Sequence, residues 1–559
     1  MTRHIRWQIL LIVLGAVLVA VLLAYLALKY TTVLRPGYGG TYVEGAIGSP
    51  QYVNPLLSGY NQTDRDICAL VFSGLTRMSE RGEVVPDMAR GWDVSPDGLT
   101  YTFYLRSNLF WHDGTPLTAD DVLFTIQLLQ DPTFPGSPDL GLTLWHMVTA
   151  EKLDRRTVRF TLAEPYAPFL DYTTVGIVPA HVLTGTLPSE LPGASFNLNP
   201  IGSGPFQLEE IQAEEGAITA VTLKLAPTYY RDRPYIDRVQ FRFYPSFQTA
   251  LNAFEAGEVE AISRVPAADI DRARAVPNLS LFSTHMARYS MILLNQQRDD
   301  LPFFREAEVR QALLYAIDRQ GIIDRVYRGY AIVPDSPVMP GTWAYKDDVK
   351  EYDYDPDLAE QTLNDAGWFR QAVGDRIRRK QGAWFEFTLL ASSQPDKTAV
   401  AQEIAEEWRT LGISVTVQTA SAIEVRQALE MREFDAILVD LTAPGDPDPY
   451  PLWHETQVSS GQNYSGFVHR RISEVIEQAR VVNSRNMREE LYYEFQDLFA
   501  EEVPALLLSI PVYTYGVDSS VNGVQIGPLT YPSDRFRTIG QWWIVPRRVF
   551  TSETEAGLP

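Results

Sequence analysis

The chain has 559 residues, with 48 Lys and Arg against 70 Asp and Glu, for a net charge of -22. That balance argues against a nucleic-acid partner, because phosphate contacts need a basic surface. The single cysteine, Cys68, excludes an internal disulfide and a cysteine-built zinc or iron–sulfur site, and the seven scattered histidines show no His-x-x-x-His pair, so no cofactor and no metal centre is expected.

Arg3 and Arg6 precede an apolar run from Ile9 to Leu28. About 20 apolar residues make a helix of roughly 30 Å, enough to cross a bilayer core. The positive flank favours a cytoplasmic N-terminus, with the bulk of the chain outside. A secretory signal has an apolar core of about 7–15 residues and a small-x-small cleavage site. The run is longer than that, and Ala24-Tyr25-Leu26-Ala27-Leu28-Lys29 offers no clean site. Residues 1–30 therefore read as a retained transmembrane helix in preference to a removed signal.

After a turn-rich linker with Pro36, Gly37, Gly39 and Gly40, a β-rich region begins. Leu99, Tyr101, Phe103 and Leu105 alternate with polar or half-polar neighbours, the period of a half-buried strand. Thr118-Ala119-Asp120-Asp121 before Val122-Leu123-Phe124 predicts a capped amphipathic helix. Gly202-Ser203-Gly204-Pro205-Phe206 lacks the lysine of a phosphate cradle and reads as a tight turn leading into a strand. Strands are expected at Val221 to Leu225 and Val239 to Phe243, and a helix at Gln248 to Ala256, stopped by Gly257.

From residue 287 helices and strands begin to alternate. Val309, Ala312, Leu313, Ala316 and Ile317 share a helical face, and Leu358 to Ala366 is a helix ended by Gly367. Strands at Phe385–Leu390, Ile413–Val417 and Phe434–Asp440 bracket helices at Ala399–Leu411 and Glu424–Met431. This pattern predicts an α/β lobe with a parallel, right-handed βαβ sheet. The stretch Leu441 to Trp453 follows the last of these strands, at the sheet end where α/β proteins usually bind ligands. Its prolines predict a stiff, non-helical path that presents Asp446, Asp448, Tyr450 and Trp453.

Paired acids such as Asp446 and Asp448 also suit a glycosidase, with carboxyls about 5–9 Å apart. Nothing else in the chain supports catalysis. Gly-x-Ser-x-Gly and Gly-x-x-x-x-Gly-Lys motifs are absent. The chain is read as a non-enzyme.

A series of motifs resembles one family. They are Asn54-Pro55-Leu56, Val71-Phe72-Ser73-Gly74-Leu75, Val85-Pro86-Asp87-Met88-Ala89, Asp97-Gly98-Leu99-Thr100-Tyr101-Thr102-Phe103 and Phe110-Trp111-His112-Asp113-Gly114-Thr115-Pro116-Leu117-Thr118-Ala119-Asp120-Asp121-Val122. Further along come Gly202-Ser203-Gly204-Pro205-Phe206, Val309-Arg310-Gln311-Ala312 with Ala316-Ile317-Asp318-Arg319, Tyr354-Asp355-Pro356-Asp357-Leu358-Ala359, and Asp446-Pro447-Asp448. In this order, over about residues 40 to 545, they resemble a family 5 extracellular solute-binding protein, the oligopeptide- and dipeptide-binding component of ABC importers.

The resemblance implies a two-lobed, periplasmic-binding-protein-like α/β fold (type II-like, with an extra domain) behind the transmembrane helix. The expected parts are a linker and first strands of domain I over 31–55, domain II over 56–180, and the middle of domain I over 181–269. Domain III, the α/β lobe, is expected over 270–485, and the C-terminal part of domain I over 486–559. Two lobes would close on a ligand between them. In the family's peptide binders an aspartate three residues before the Asp-Pro-Asp holds the ligand's amino group; here that position is Ala443, and Asp440, Asp446 and Asp448 are the acids left to substitute. The resemblance implies a monomer with two kinds of partner: a peptide or other small solute, and ABC permease subunits in the membrane. The expected ligand-binding residues are Tyr289, Asn295, Asp440, Asp446, Asp448, Tyr450, Trp453, Asn463 and Tyr464. The alternatives are a non-peptide solute on the same fold (a sugar, a nickel complex or haem), a ligand-sensing receptor, and a surface hydrolase.

Overall fold

The computed structural model describes residues 7–8, 11, 13–23 and 32–550, apart from 81, 138–139, 371–375 and 444. Residues 13–23 are helical with exposed apolar side chains; Leu18 is 64% exposed. The rest of the expected transmembrane segment, residues 1–6, 9–10, 12 and 24–30, lies outside the described residues. Among the described residues no helix is long and apolar enough to cross a membrane.

A twelve-stranded sheet runs through both lobes. Its axis is the thirteen-residue strand Leu506–Asp518. The first part of this strand pairs with Arg288–Leu294, and the later part with Leu279–His285, where His285 lies opposite Val512. The chain therefore crosses between lobes at two adjacent points, Met286–Ala287 and Ile510–Pro511. The Met286 amide donates to the Pro511 carbonyl at 3.0 Å, which ties the crossings together. Two adjacent crossings of this kind are the construction of a hinge.

In the first lobe Thr41–Ile47 pairs with Arg238–Tyr244, and the meander continues through Ala217–Leu225 to Phe206–Glu214. A separate four-stranded layer contains Ala89–Val94, Thr100–Leu105, Thr157–Leu162 and Val148–Asp154. The helix Ala119–Gln130 packs beside it, opened by the expected capping box at Thr118 and Asp121. Trp145, Phe160 and Phe169 meet edge to face in its core, with centroids 5.6–5.8 Å apart. Gly202 and Gly204 are small for a packing reason: a Cβ on either would strike the carbonyls of Val71 or Leu70. The segment leads into the strand Phe206–Glu214 as expected, and its glycines also mark a close backbone crossing.

A buried ion cluster fastens the C-terminal segment to this lobe. Arg535, with no exposed side-chain area, pairs with Asp66 at 2.6 Å and with Glu44. Tyr42 and Tyr515 donate to the same Glu44 carboxylate at 2.9 and 2.8 Å.

In the second lobe Glu386–Ser392 pairs in parallel with both Ser414–Ala420 and Ala436–Thr442. The helices Pro395–Thr410 and Ala422–Met431 form the crossovers, with Ile404 and Trp408 fully buried. This is the expected βαβ arrangement, although Arg288–Leu294 joins it antiparallel to Ala436–Thr442. Pairing and packing bear on where this lobe begins and ends. Leu279–His285 pairs in the first lobe, and Arg485–Glu502 packs on Arg470–Val481 in the second. The second lobe thus runs from about residue 288 to 509. Periodicity locates a strand or helix but not the sheet or core that it joins.

An interlobe cleft as candidate binding site

The strand Ala436–Thr442 ends at the hinge: the Ala443 amide donates to the Ala287 carbonyl at 2.8 Å. The following loop turns toward the first lobe. A Cβ on Gly445 would stand 2.5 Å from Met78 Cε and 2.9 Å from Asp171 Oδ2, so a larger residue here would have to displace those side chains. The loop is not wholly non-helical as expected. Tyr450–Trp453 forms one helical turn, with Pro451 in its first positions, where a missing N–H costs nothing.

The two loop acids are held by arginines of their own lobe. Asp446 accepts a two-pronged pair from Arg488, at 2.6 and 2.9 Å, and Asp448 pairs with Arg480 at 3.1 Å. The Arg480 guanidinium also lies between rings of opposite lobes, 4.0 Å from Tyr450 and 4.7 Å from Tyr166. The Ala167 amide donates to the Arg480 carbonyl at 2.9 Å, and Arg485 pairs with Glu83 at 2.8 Å on the rim. These contacts join the lobes in a closed arrangement.

Asp440, the third acid near the Ala443 position, pairs with Lys397 at 2.5 Å. All three acids expected to receive a ligand amine are therefore already matched by a cation. Asp171, on the opposite wall, differs. Its Oδ2 is buried with no hydrogen-bond partner among the described residues. Burial, and then the neighbouring Asp446 charge, push its carboxyl up to about 8.

The other expected residues divide into two groups. Tyr450 stacks on His454 at 4.1 Å and lines the contact with Arg480. Tyr464 is half-buried beside Arg432. Tyr289 is buried next to the hinge, and its hydroxyl has no partner among the described residues. Asn295, by contrast, donates to the carbonyls of Arg432 and Phe434 and accepts from the Gln297 amide. Asn463 donates to the carbonyls of His454 and Phe467 and accepts from the Ser465 hydroxyl. Both asparagines are core ties with their polar atoms engaged. Trp453 is 2% exposed and sits edge-on to Phe499 at 5.0 Å. Sequence reasoning missed Tyr166, Asp171, Arg480 and Arg488. The two arginines stand on successive helices with no local pattern that points at the loop.

Residues 83–463 match the profile of the bacterial extracellular solute-binding proteins, family 5 Middle. The chain belongs to this family. It is 29% identical over 519 residues to the oligopeptide-binding protein AppA of Bacillus subtilis, covering 91% of this chain and 92% of that one. The dipeptide-binding protein of Escherichia coli is 28% identical, with 90% and 95% covered. Among solved structures, B. subtilis AppA in complex with a nonapeptide superposes with a TM-score of 0.70 at 28% identity, over 91% of this chain and all of the other. NikZ of Campylobacter jejuni in complex with Ni(L-His) superposes at 0.71 and 27%, over 90% and 99%. The two-lobed α/β fold is thus that of known solute-binding proteins.

Proposed function

We propose that this chain is the extracytoplasmic receptor of an ABC importer. Held to the membrane by its N-terminal apolar run, it closes on a peptide and delivers it to permease subunits without catalysing a reaction. The observation that carries this reading is the cleft itself: two hinge strands, and a ligand-side loop with its acids pre-paired. Likeness to a nonapeptide-bound AppA over nearly the whole chain supports the choice of peptide.

The peptide backbone would pair with strand-end groups beside Ala443, and side chains would enter wet, tolerant pockets. The amine acceptor in this reading is Asp171, the cleft acid with no ion pair among the described residues, in place of the family position occupied by Ala443. An ammonium beside Asp171 would keep its carboxylate ionised on closure. Calorimetry with peptides of graded length, each free and N-acetylated, tests this. Free peptides should bind more tightly than their acetylated forms, and equal binding of both would count against amine capture.

The second reading is a non-peptide solute. It is favoured by the alanine at position 443 and by the likeness to NikZ with Ni(L-His). Titration with the nickel–histidine complex in the same assay separates it from the first.

A further inference from the structure

The membrane-proximal end of the described chain is a two-stranded ribbon. Thr32–Pro36 pairs antiparallel with Pro546–Phe550, and this pair is separate from the main sheet. Its strands read TVLRP and PRRVF, with three arginines and no acid, in a chain of net charge -22. Arg35 stands directly opposite Arg547. Directly opposed residues share a face with Cβ atoms about 4.5–5.5 Å apart, and like charges there repel. Arg548 lies opposite Leu34 on the other face, and Leu34 is 58% exposed.

Among the described residues no acid pairs with these arginines, and Arg35, Arg547 and Arg548 are exposed. Asp237, which lies beside Gly39, is paired with Arg233 at 2.9 Å. An isolated two-stranded ribbon is marginal in water unless another surface supports it. An anion bridging two guanidiniums would turn the repulsion into a binding site, and a phosphodiester suits their planar donors.

Position selects the source of that anion. Leu34 follows Leu28, the last residue of the apolar run, by six residues. Six extended residues span at most about 20 Å. We propose that this ribbon seats on anionic phospholipid headgroups, Arg35 and Arg547 gripping phosphate from one face while Leu34 and Arg548 meet the interface from the other. The proposal rests on the anchored-receptor reading above. It gives the receptor a fixed base beside the permease in place of a free tether.

The test uses the full chain with vesicles of phosphatidylcholine alone or mixed with phosphatidylglycerol. Flotation on phosphatidylcholine reports the anchor. Arginine-directed dicarbonyl labelling, read by peptide mass spectrometry, reports the ribbon, with exposed Arg426 on the second lobe as the internal reference. Arg35 and Arg547 should be labelled about fivefold more slowly on phosphatidylglycerol vesicles, reversibly with salt, since each arginine near an anionic surface contributes about that factor. Flotation on both vesicle types with equal labelling keeps the anchor and overturns the ribbon. Salt-sensitive flotation on phosphatidylglycerol alone, with protection of Arg35 and Arg547, supports the ribbon and sinks the anchor. Protection by free inorganic phosphate but not by phosphatidylglycerol overturns the lipid assignment.

Discussion

Asp171 of the first lobe and Asp446 of the second meet across the closed cleft beside the bare backbone of Gly445; Arg488 pairs directly with Asp446 and offsets the Asp171 charge only from farther off. Closing the lobes therefore brings a second carboxyl into a site that already holds one charge. Burial, and then that charge, push its carboxyl up to about 8, which favours the neutral form in the closed arrangement. Closure would then take up a proton.

The sign of the coupling follows from the direction of the shift. An exposed aspartate titrates near 4, so between about pH 4 and about pH 8 the closed form binds a proton that an open or unfolded chain lacks. Stability and closure should weaken as pH rises through that window and level off above it. Asp171→Asn stays neutral and should flatten the profile of melting temperature against pH. An unchanged slope in the variant would place the proton elsewhere.

Tyr166 touches the second lobe chiefly through the Arg480 guanidinium. Tyr166→Leu should leave melting of the ligand-free protein nearly unchanged. It should weaken ligand binding roughly fivefold, the loss of a cation–π contact of about 1 kcal/mol. Calorimetry beside a melting curve separates the two effects. A large melting drop with unaltered affinity would make the contact a packing feature only.

Trp453 was a candidate ligand contact from its sequence position, but its ring lies in the core against Phe499. Trp453→Ala should cost about 3–5 kcal/mol of stability, the usual range for a buried tryptophan truncated to alanine. Denaturant unfolding measures this directly. A small loss together with a fall in affinity would return the ring to the cleft.

Much of the secondary structure was legible because its code is local. Apolar periodicity marked the second-lobe helix around Ile404 and Trp408, and the capping box marked the first-lobe helix after Thr118. The loop after Ala436–Thr442 was legible from topology, since sheet ends bind ligands. What its acids do was not. Arg488 lies 42 residues from Asp446 and Arg480 lies 32 from Asp448. No local pattern pairs them, so two solvated-looking carboxylates became internal ion pairs. Asp171 escaped notice for the complementary reason: an unremarkable helical residue acquires its character only when the other lobe closes on it. Lobe limits are not legible locally, because Leu279–His285 and Arg288–Leu294 are nearly continuous in sequence yet pair with different parts of Leu506–Asp518.

Arg535 holds Glu44 and Asp66 with all three groups buried. Arg535→Ala would leave two carboxylates without a counter-charge in the core. It should destabilise the chain by about 3–5 kcal/mol, the cost of breaking a buried pair from one side. Arg535→Ala combined with Glu44→Gln and Asp66→Asn should recover part of that loss. If the triple variant is no more stable than Arg535→Ala, charge burial is not the cause.

The central claim, a closing receptor for peptides, is tested most directly by mass spectrometry of the small molecules released when the purified, natively folded full chain is denatured. The account predicts peptides of mixed sequence and a narrow range of lengths, in about one copy per chain. Recovery of a nickel–histidine complex, a sugar or haem in that stoichiometry, with no peptide, would contradict it.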